Sequence, residues 1–432
     1  MHLAFCAVAE VNYLRRVNQN SIVVTGIGTV NPIGLSAEET WNALLAARSG
    51  ISKITRFDAS AFTTQYAGQI EGFDPAKFLT PKEARRMDRL VWYALAACDE
   101  AWNQSGLGNH SFDALRCGVS WASGNGGIES IDHALLEYAE QKDRPRFSPF
   151  FQSKALPDSA SGWIAARYRL QGPNQLSVAA CASSNAAIFT ALLYLQAGIC
   201  DAMLVGGSDA PITPSVLGGF GAMKALTTNP DMHAASRPFA ASRDGFVAGE
   251  GAGALVLETY AHAVKRNAPI LAVLSGCGNA NDAYHPTAAE EQGSGTYYSV
   301  DMALQMARIK PEEIGLINPH ATSTPNGDLA EYNGLHRVFG SALASIPMAA
   351  TKAMTGHLLG AAGALEAVCC IMSLQKQHLP SGRNIFEFEP SISERGINVC
   401  KENRSAEIRH ALSHSAGFGG HNATVVFSRF VH

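Results

Sequence analysis

The chain has 432 residues, 47% of them apolar and 16% charged, which supplies a large core and argues against a disordered, coiled-coil or fibrous protein. Its 33 basic and 37 acidic residues leave a net charge of −4, without the global positive field of a nucleic-acid binder or an anionic-membrane binder. Nine cysteines, Cys6, Cys98, Cys117, Cys181, Cys200, Cys277, Cys369, Cys370 and Cys400, form no Cys-x-x-Cys pair; neither a disulfide framework nor a metal site is expected, and the cysteines read as small buried residues of a reducing, cytoplasmic compartment.

This length predicts about two to three compact units. Residues 1–20 read as an N-terminal extension: the apolar piece Leu3 to Ala9 lacks the basic flank of a secretion signal. No apolar run is expected to reach the roughly 18 residues that cross a membrane. The first strand, Ile22 to Thr25, leads into Gly26-Ile27-Gly28, a turn at Asn31-Pro32 and a helix from about Ser36, whose Ser36-Ala37-Glu38-Glu39 run has the pattern of a capping box. Strand, small-residue loop and helix then recur, at Cys117 to Trp121, Leu176 to Ala180 and Ala202 to Val205, with further strands at Ala254 to Leu257, Ile270 to Leu274 and Gly315 to Asn318. That alternation predicts layered α/β architecture. Strand followed by a Gly-x-Gly turn and asparagine occurs at both Ile22 to Asn31 and Ile270 to Asn281, a hint of two related halves, residues 21–265 and 266–432.

Chemistry concentrates in four segments. Cys181 ends an apolar strand and precedes an Ala-rich helical pattern, which places its sulfur at a helix N-terminus, where free amides favour a thiolate and lower the thiol pKa. A cysteine among small residues also serves simply as packing. His320 emerges after the short strand Gly315 to Asn318, and His357 stands where a loop enters a small-residue helix. Each alone reads as an ordinary hydrogen-bonded histidine; together with Cys181 they suggest one site assembled from loops on a common face. The fourth segment, Ser415-Ala416-Gly417-Phe418-Gly419-Gly420-His421-Asn422, surrounds an aromatic residue with glycines that let its backbone bend.

These segments, with Val24-Thr25-Gly26-Ile27-Gly28, Ser236-Arg237-Pro238-Phe239, Arg243-Asp244-Gly245-Phe246-Val247, Gly249-Glu250-Gly251-Ala252-Gly253 and Asp282-Ala283-Tyr284-His285, resemble the thiolase-fold condensing enzymes of the 3-oxoacyl-[acyl-carrier-protein] synthase II type. The likeness runs from about Ile22 to Phe427. It implies an α/β thiolase-like fold in five αβαβα layers, normally a homodimer, and a decarboxylating acyltransferase of fatty acid biosynthesis. Cys181 is then the nucleophile that takes an acyl chain from a carrier protein. His320 and His357 assist malonyl decarboxylation, and Lys352 and Glu366 form a buried pair behind them. The amides of Cys181 and Phe418 make an oxyanion hole, with the Phe418 ring as a gate. Asn125 and Phe220 fall on the acyl pocket, and Lys82, Arg85, Arg86 and Lys224 on the docking face for the acidic acyl carrier protein. No cofactor is expected, because phosphopantetheine arrives with the carrier; no nucleic acid or membrane partner is expected either.

The sequence also departs from that pattern. Asn125 stands where an apolar residue is usual, Ala321 replaces a glycine beside His320, and His414, Ala416 and His421 replace asparagine, phenylalanine and threonine near the gate. Buried against a saturated chain, the Asn125 amide is costly. These changes keep a second reading open, the catalytic subunit of a type II polyketide or aryl-polyene system paired with a chain-length-factor-like homologue. A non-catalytic partner of that kind is the third reading, opposed by the intact Cys181, His320 and His357.

Overall fold

The computed structural model describes residues 18–143 and 146–431. Cys6 and the Leu3 to Ala9 piece lie outside the described residues. Strands of the main sheet are β1 (Ile22–Val30), β2 (Cys117–Ala122), β3 (Asn174–Ser177), β4 (Ala202–Asp209), β5 (Gly251–Thr259), β6 (Ala272–Asn281), β7 (Ile314–Asn318), β8 (His410–Gly417) and β9 (His421–Arg429). The helices that matter here are α1 (Ala37–Leu45), α2 (Arg89–Ser105), α3 (Ile128–Glu140), α4 (Ser159–Tyr168), α5 (Ser183–Gln196), α6 (Pro214–Ala222), α7 (Ser294–Ala307), α8 (Pro325–Phe339) and α9 (Ala362–Lys376).

Strand order is β3-β2-β4-β5-β1-β6-β9-β8-β7. On one side β1 and β5, then β5 and β4, are antiparallel, while β2 runs parallel to both β4 and β3. The other side repeats these senses: β6 and β9, then β9 and β8, are antiparallel, and β7 runs parallel to β8. Only the first three residues of β1 pair with β6, so the sheet folds there around α5 and α9, which pack against strands of both sides. Helices α2 and α4 cover one outer face and α7, backed by α8, the other, giving five layers. Apolar residues of the central helices, Ile188, Leu192 and Leu195 of α5 and Leu365, Val368 and Ile371 of α9, share the largest buried cluster with both sides of the sheet.

The two Gly-x-Gly pairs are not turns; both lie inside strands. A Cβ on Gly26 or Gly28 falls 2.0 Å from Ala101 O or 2.1 Å from Ala97 O of α2. On β6, a Cβ on Gly276 or Gly278 falls 2.2 Å from Ala303 O or 1.9 Å from Ser299 O of α7. Each pair therefore lets an outer helix settle onto the sheet backbone, a contact that any side chain there prevents.

The predicted helix start is present with one change. Ser36 Oγ accepts the Glu39 N–H at 3.2 Å, while the Glu39 carboxylate takes the Leu35 N–H, 2.9 Å away, in place of the Ser36 amide. A second expectation also needs correction: Leu359–Lys376 is long and apolar enough to cross a membrane. It is 89% buried between the sheets, so core packing accounts for its hydrophobicity.

Candidate active site

A cavity of about 420 Å³ is lined by Cys181, His320, His357, Phe220, Phe418 and Lys224 among others. Three separate chain segments, the first more than a hundred residues before the other two, thus meet as the sequence suggested: the Cys181 sulfur and one ring nitrogen from each histidine lie within 4.8 Å of one another. The two imidazoles stand edge to face, centroids 5.2 Å apart, and the Phe246 ring braces His357 at 5.3 Å.

Backbone geometry aims each group. Strand β3 ends at Ser177, earlier than expected, and Ala180 turns to a left-handed φ of 48° before Cys181. Helix α5 follows with Ala182 as an N-cap that has no capping side chain. Ala321 after His320 and Leu359 after His357 are also left-handed, at φ 41° and 49°. Such conformations are costly without glycine, and here they cluster at the site's three corners. A glycine suits the Ala321 conformation better, so the alanine that departs from the usual glycine carries a backbone cost.

Buried acids hold these loops. Glu331 of α8 accepts the main-chain N–H groups of His320 and Ala321 at 2.5 and 2.8 Å. Asp328, one turn earlier, accepts those of Phe239 and Ser323 at 2.7 and 3.0 Å. Asp209, at the end of β4, takes the Ser123 hydroxyl and the amides of Gly124, Asn125 and Gly360, tying the 123–125 loop to the His357 loop. Burial raises Asp209 and Asp328 to about 6 and Glu331 to about 8, against these hydrogen bonds. Sequence reading missed Glu331 and Asp209; the signal available was Asp328 and Glu331 at i, i+3, on one face of a helix.

With this geometry in view, the comparisons with known proteins are decisive. The family descriptions Beta-ketoacyl synthase, N-terminal domain, and Beta-ketoacyl synthase, C-terminal domain, match residues 19–263 and 271–386. The chain belongs to the beta-ketoacyl synthase family. A 3-oxoacyl-[acyl-carrier-protein] synthase 2 of Vibrio cholerae is 40% identical over 96% of this chain and all of its own length. The protein of that name from Staphylococcus aureus strain COL is 39% identical with the same coverage. Among solved structures, the ishigamide ketosynthase/chain length factor matches with TM-score 0.89 at 30% identity, covering 95% of this chain and 99% of that one. A type II PKS acyl-carrier protein in complex with its ketosynthase bound to the hexaketide gives 0.87, again at 30% identity with those coverages.

Electrostatics in this ketoacyl synthase differ from the sequence expectation at the nucleophile. Burial pushes the Cys181 thiol up to about 12; the Lys352 charge pulls it down, and Asp209 and Glu366 oppose that pull. The helix N-terminus therefore does not yield a resting thiolate, because desolvation outweighs it. Burial, followed by Lys352, holds His357 and His320 well below the usual histidine value, so both rings are neutral. Both ring nitrogens of His357, and Nδ1 of His320, have no hydrogen-bond partner among the described residues. Behind them Lys352 and Glu366 are joined in a buried ion pair, and burial raises Glu366 to about 7.

The gate segment forms the hairpin between β8 and β9. A Cβ on Gly417 falls 2.9 Å from the Cys181 amide nitrogen and 2.7 Å from Ala179 O, so glycine keeps that N–H accessible. Phe418 is half exposed, its ring centroid 6.3 Å from that of Phe220. Gly419 and Gly420, at φ 85° and 73°, make the reversal. Four hydrogen bonds tie the tip and β9's start to residues 281–286: Asn281 Nδ2 to Gly419 O, Gly419 N to Pro286 O, Asp282 N to Gly420 O, and Asn422 Nδ2 to Asp282 Oδ1. His414 is buried between the Thr296 and Thr424 hydroxyls at 3.1 and 3.0 Å; burial lowers it to about 3.

The remaining predicted residues divide. Phe220 and exposed Lys224 line the cavity, whereas Asn125, Lys82, Arg85 and Arg86 are absent from its lining. Lys82 and Arg85 are exposed, and Arg86 lies over the Phe150 ring at 5.0 Å. None of these four basic residues is in an ion pair among the described residues.

Proposed function

We propose that this chain elongates acyl chains on acyl carrier protein in fatty acid synthesis. The observation that carries this reading is one thiol and two neutral imidazoles converging within 4.8 Å at one cavity. In the first half-reaction the Cys181 sulfur attacks a carrier-bound thioester: the new Cys181 thioester bond forms, the pantetheine sulfur leaves, and the thiol proton passes to it. A neutral imidazole within reach relays that proton, which a thiol held near pKa 12 requires. In the second, malonyl thioester loses carbon dioxide, and the electron pair of the broken bond becomes an enolate. Neutral N–H donors on His320 and His357 stabilise its oxygen; the carbanion attacks the Cys181 thioester carbonyl, the carbon–sulfur bond breaks, the Cys181 sulfur takes up a proton from solvent, and the carrier leaves with a chain two carbons longer. The Cys181 and Phe418 amides serve the tetrahedral oxyanion. This reading calls for no resident cofactor or metal, since the pantetheine arm comes with the carrier.

The same reading places the chain in the cytoplasm as a homodimer. Strand β3 is an open edge of the sheet, with Asn174, Gln175 and Val178 exposed, and a second copy continuing the sheet removes that edge. The similarity to a ketosynthase/chain length factor structure favours a second reading, in which a homologous subunit occupies this edge.

The direct test is a condensation assay with malonyl- and acyl-carrier protein, read by mass spectrometry. The expected product is a 3-oxoacyl-carrier protein two carbons longer than the starter, with one carbon dioxide released. Its absence with every starter, while the protein remains folded, overturns the reading.

Carrier docking supplies a second check. Reversing charge at Arg85 and Lys224 is expected to lower kcat/KM for carrier-bound substrate by about tenfold at low salt, chiefly through KM, and to flatten its salt dependence. An unchanged salt slope moves the docking face elsewhere. The third concerns pH. Because both imidazoles titrate well below the usual value, neither ring gains a proton as pH falls from 7.5 to 6, and malonyl decarboxylation is expected to show no histidine titration; the groups that take up protons near that window include Glu366, raised to about 7, and Glu331, raised to about 8. A decline with a midpoint near the ordinary histidine pKa of about 6.5 means that the rings titrate as exposed imidazoles.

A further inference from the structure

Cys181 and His357 reach the cavity from distant parts of the chain, and one residue joins their supports. That residue is Gly360, three positions after His357. Its N–H donates to Asp209 Oδ2 at 2.8 Å, and its carbonyl accepts the Ser184 hydroxyl. Asp209 ends β4, whereas Ser184 stands three residues after Cys181 in the first turn of α5, so this clamp runs from the helix of the thiol to the loop of the imidazole.

The clamp is buried and closely fitted. A Cβ on Gly360 falls 2.4 Å from Gly124 N and 2.8 Å from Asp209 Oδ2, and one on Gly207 falls 2.3 Å from Ser184 Oγ. Either would push the clamp apart. Asp209 is committed on its other edge as well, where Oδ1 takes the Ser123 hydroxyl and the Asn125 N–H at 2.7 and 3.2 Å.

What the clamp holds is the backbone that carries His357. Neither ring nitrogen of His357 has a hydrogen-bond partner among the described residues, so no side-chain bond aims the imidazole. Its aim comes from backbone and packing. Before the ring, His357 N donates to Val247 O at 2.7 Å, and the Gly249 N–H donates to His357 O at 2.8 Å. After it, Leu359 takes a left-handed φ of 49° while packing in the apolar cluster that includes Cys181. Such a backbone persists only where its surroundings hold it, and the next residue is the clamped Gly360.

We propose that Asp209 and Ser184 are positioning residues that set His357 against Cys181 by clamping Gly360. Neither lines the cavity, so both act through the histidine. The inference rests on the proposed part of His357 in malonyl decarboxylation and adds what holds the ring in place.

The test follows labelled carbon dioxide released from malonyl-acyl carrier protein by the full-length protein and by Ser184→Ala and Asp209→Asn, each alone and combined with His357→Ala. Alanine removes the donor to the Gly360 carbonyl. Asparagine offers one oxygen to amides on both edges, so the Asn125 or the Gly360 N–H loses its acceptor whichever way the side chain turns. Each single variant is expected to decarboxylate about tenfold more slowly than wild type, in kcat with little change in KM. Where His357 is already alanine, the same change is expected to cost less than about twofold, because the group it positions is gone. Rates within about twofold of wild type in folded Ser184→Ala overturn the inference, as does an equal loss with and without His357, which marks a general structural role. Ser184→Ala deletes one oxygen atom and decides even if Asp209→Asn does not fold. Wild type that releases no carbon dioxide overturns the decarboxylation reading itself, a result separate from every variant.

Discussion

Cys181→Ala is expected to lose acyl transfer by at least about 10³-fold while still releasing carbon dioxide from malonyl-carrier protein. The separation follows from the geometry. In the proposed mechanism the sulfur forms the acyl bond and the histidines serve the malonyl oxygen, and those rings stand on other loops: His320 held through Glu331, and His357 through the Val247 and Gly249 backbone. Deleting one sulfur atom at the start of α5 leaves both supports in place. Intact-protein mass spectrometry measures the first half-reaction, and labelled carbon dioxide release the second. Elongation by the variant sinks the assignment of the nucleophile; loss of decarboxylation together with acylation shows that the sulfur also organises the malonyl site.

His320→Ala and His357→Ala are expected to show the opposite pattern, with malonyl decarboxylation lowered by about 10²- to 10³-fold each, the usual cost of one oxyanion donor. Acylation of Cys181 falls less, because one imidazole remains to relay the thiol proton. The two losses are expected not to add, since the rings stand 5.2 Å apart and serve one oxygen in the proposed mechanism. Single-turnover decarboxylation by each variant and by the double variant measures this; equal damage to both half-reactions, or full additivity, is inconsistent with a shared enolate site. Replacement by glutamine is the sharper comparison, because an amide N–H partly restores the donor where alanine cannot.

Several features of the fold fall where local sequence places them. The strand at Ile22, the helix behind Ser36 and the strand before His320 depend on alternation, capping and apolar runs within a few residues. The Gly-x-Gly pairs show the limit of that method. Read locally they are turns; in the fold they are flat places on β1 and β6 where α2 and α7 lie on the backbone. The information that distinguishes the two is a helix some seventy residues away in one case and about twenty in the other. Leu359–Lys376 likewise has the length and hydropathy of a membrane span, and only its burial in the fold identifies it as a core segment.

The sequence by itself determined the chemical types: a cysteine before a small-residue helix, two histidines at loop starts, a glycine-flanked phenylalanine, and the resemblance that binds them in order. Tertiary structure alone decided how those groups behave. The thiol expected to be acidified by a helix N-terminus is instead raised to about 12, because burial is a property of everything packed around the sulfur and not of its own segment. The same desolvation keeps both histidines neutral, the state that the proposed mechanism uses. Glu331, marked in the sequence only by its i, i+3 spacing from Asp328, and Asp209 set the loops because buried carboxylates seek amide donors wherever the fold brings them.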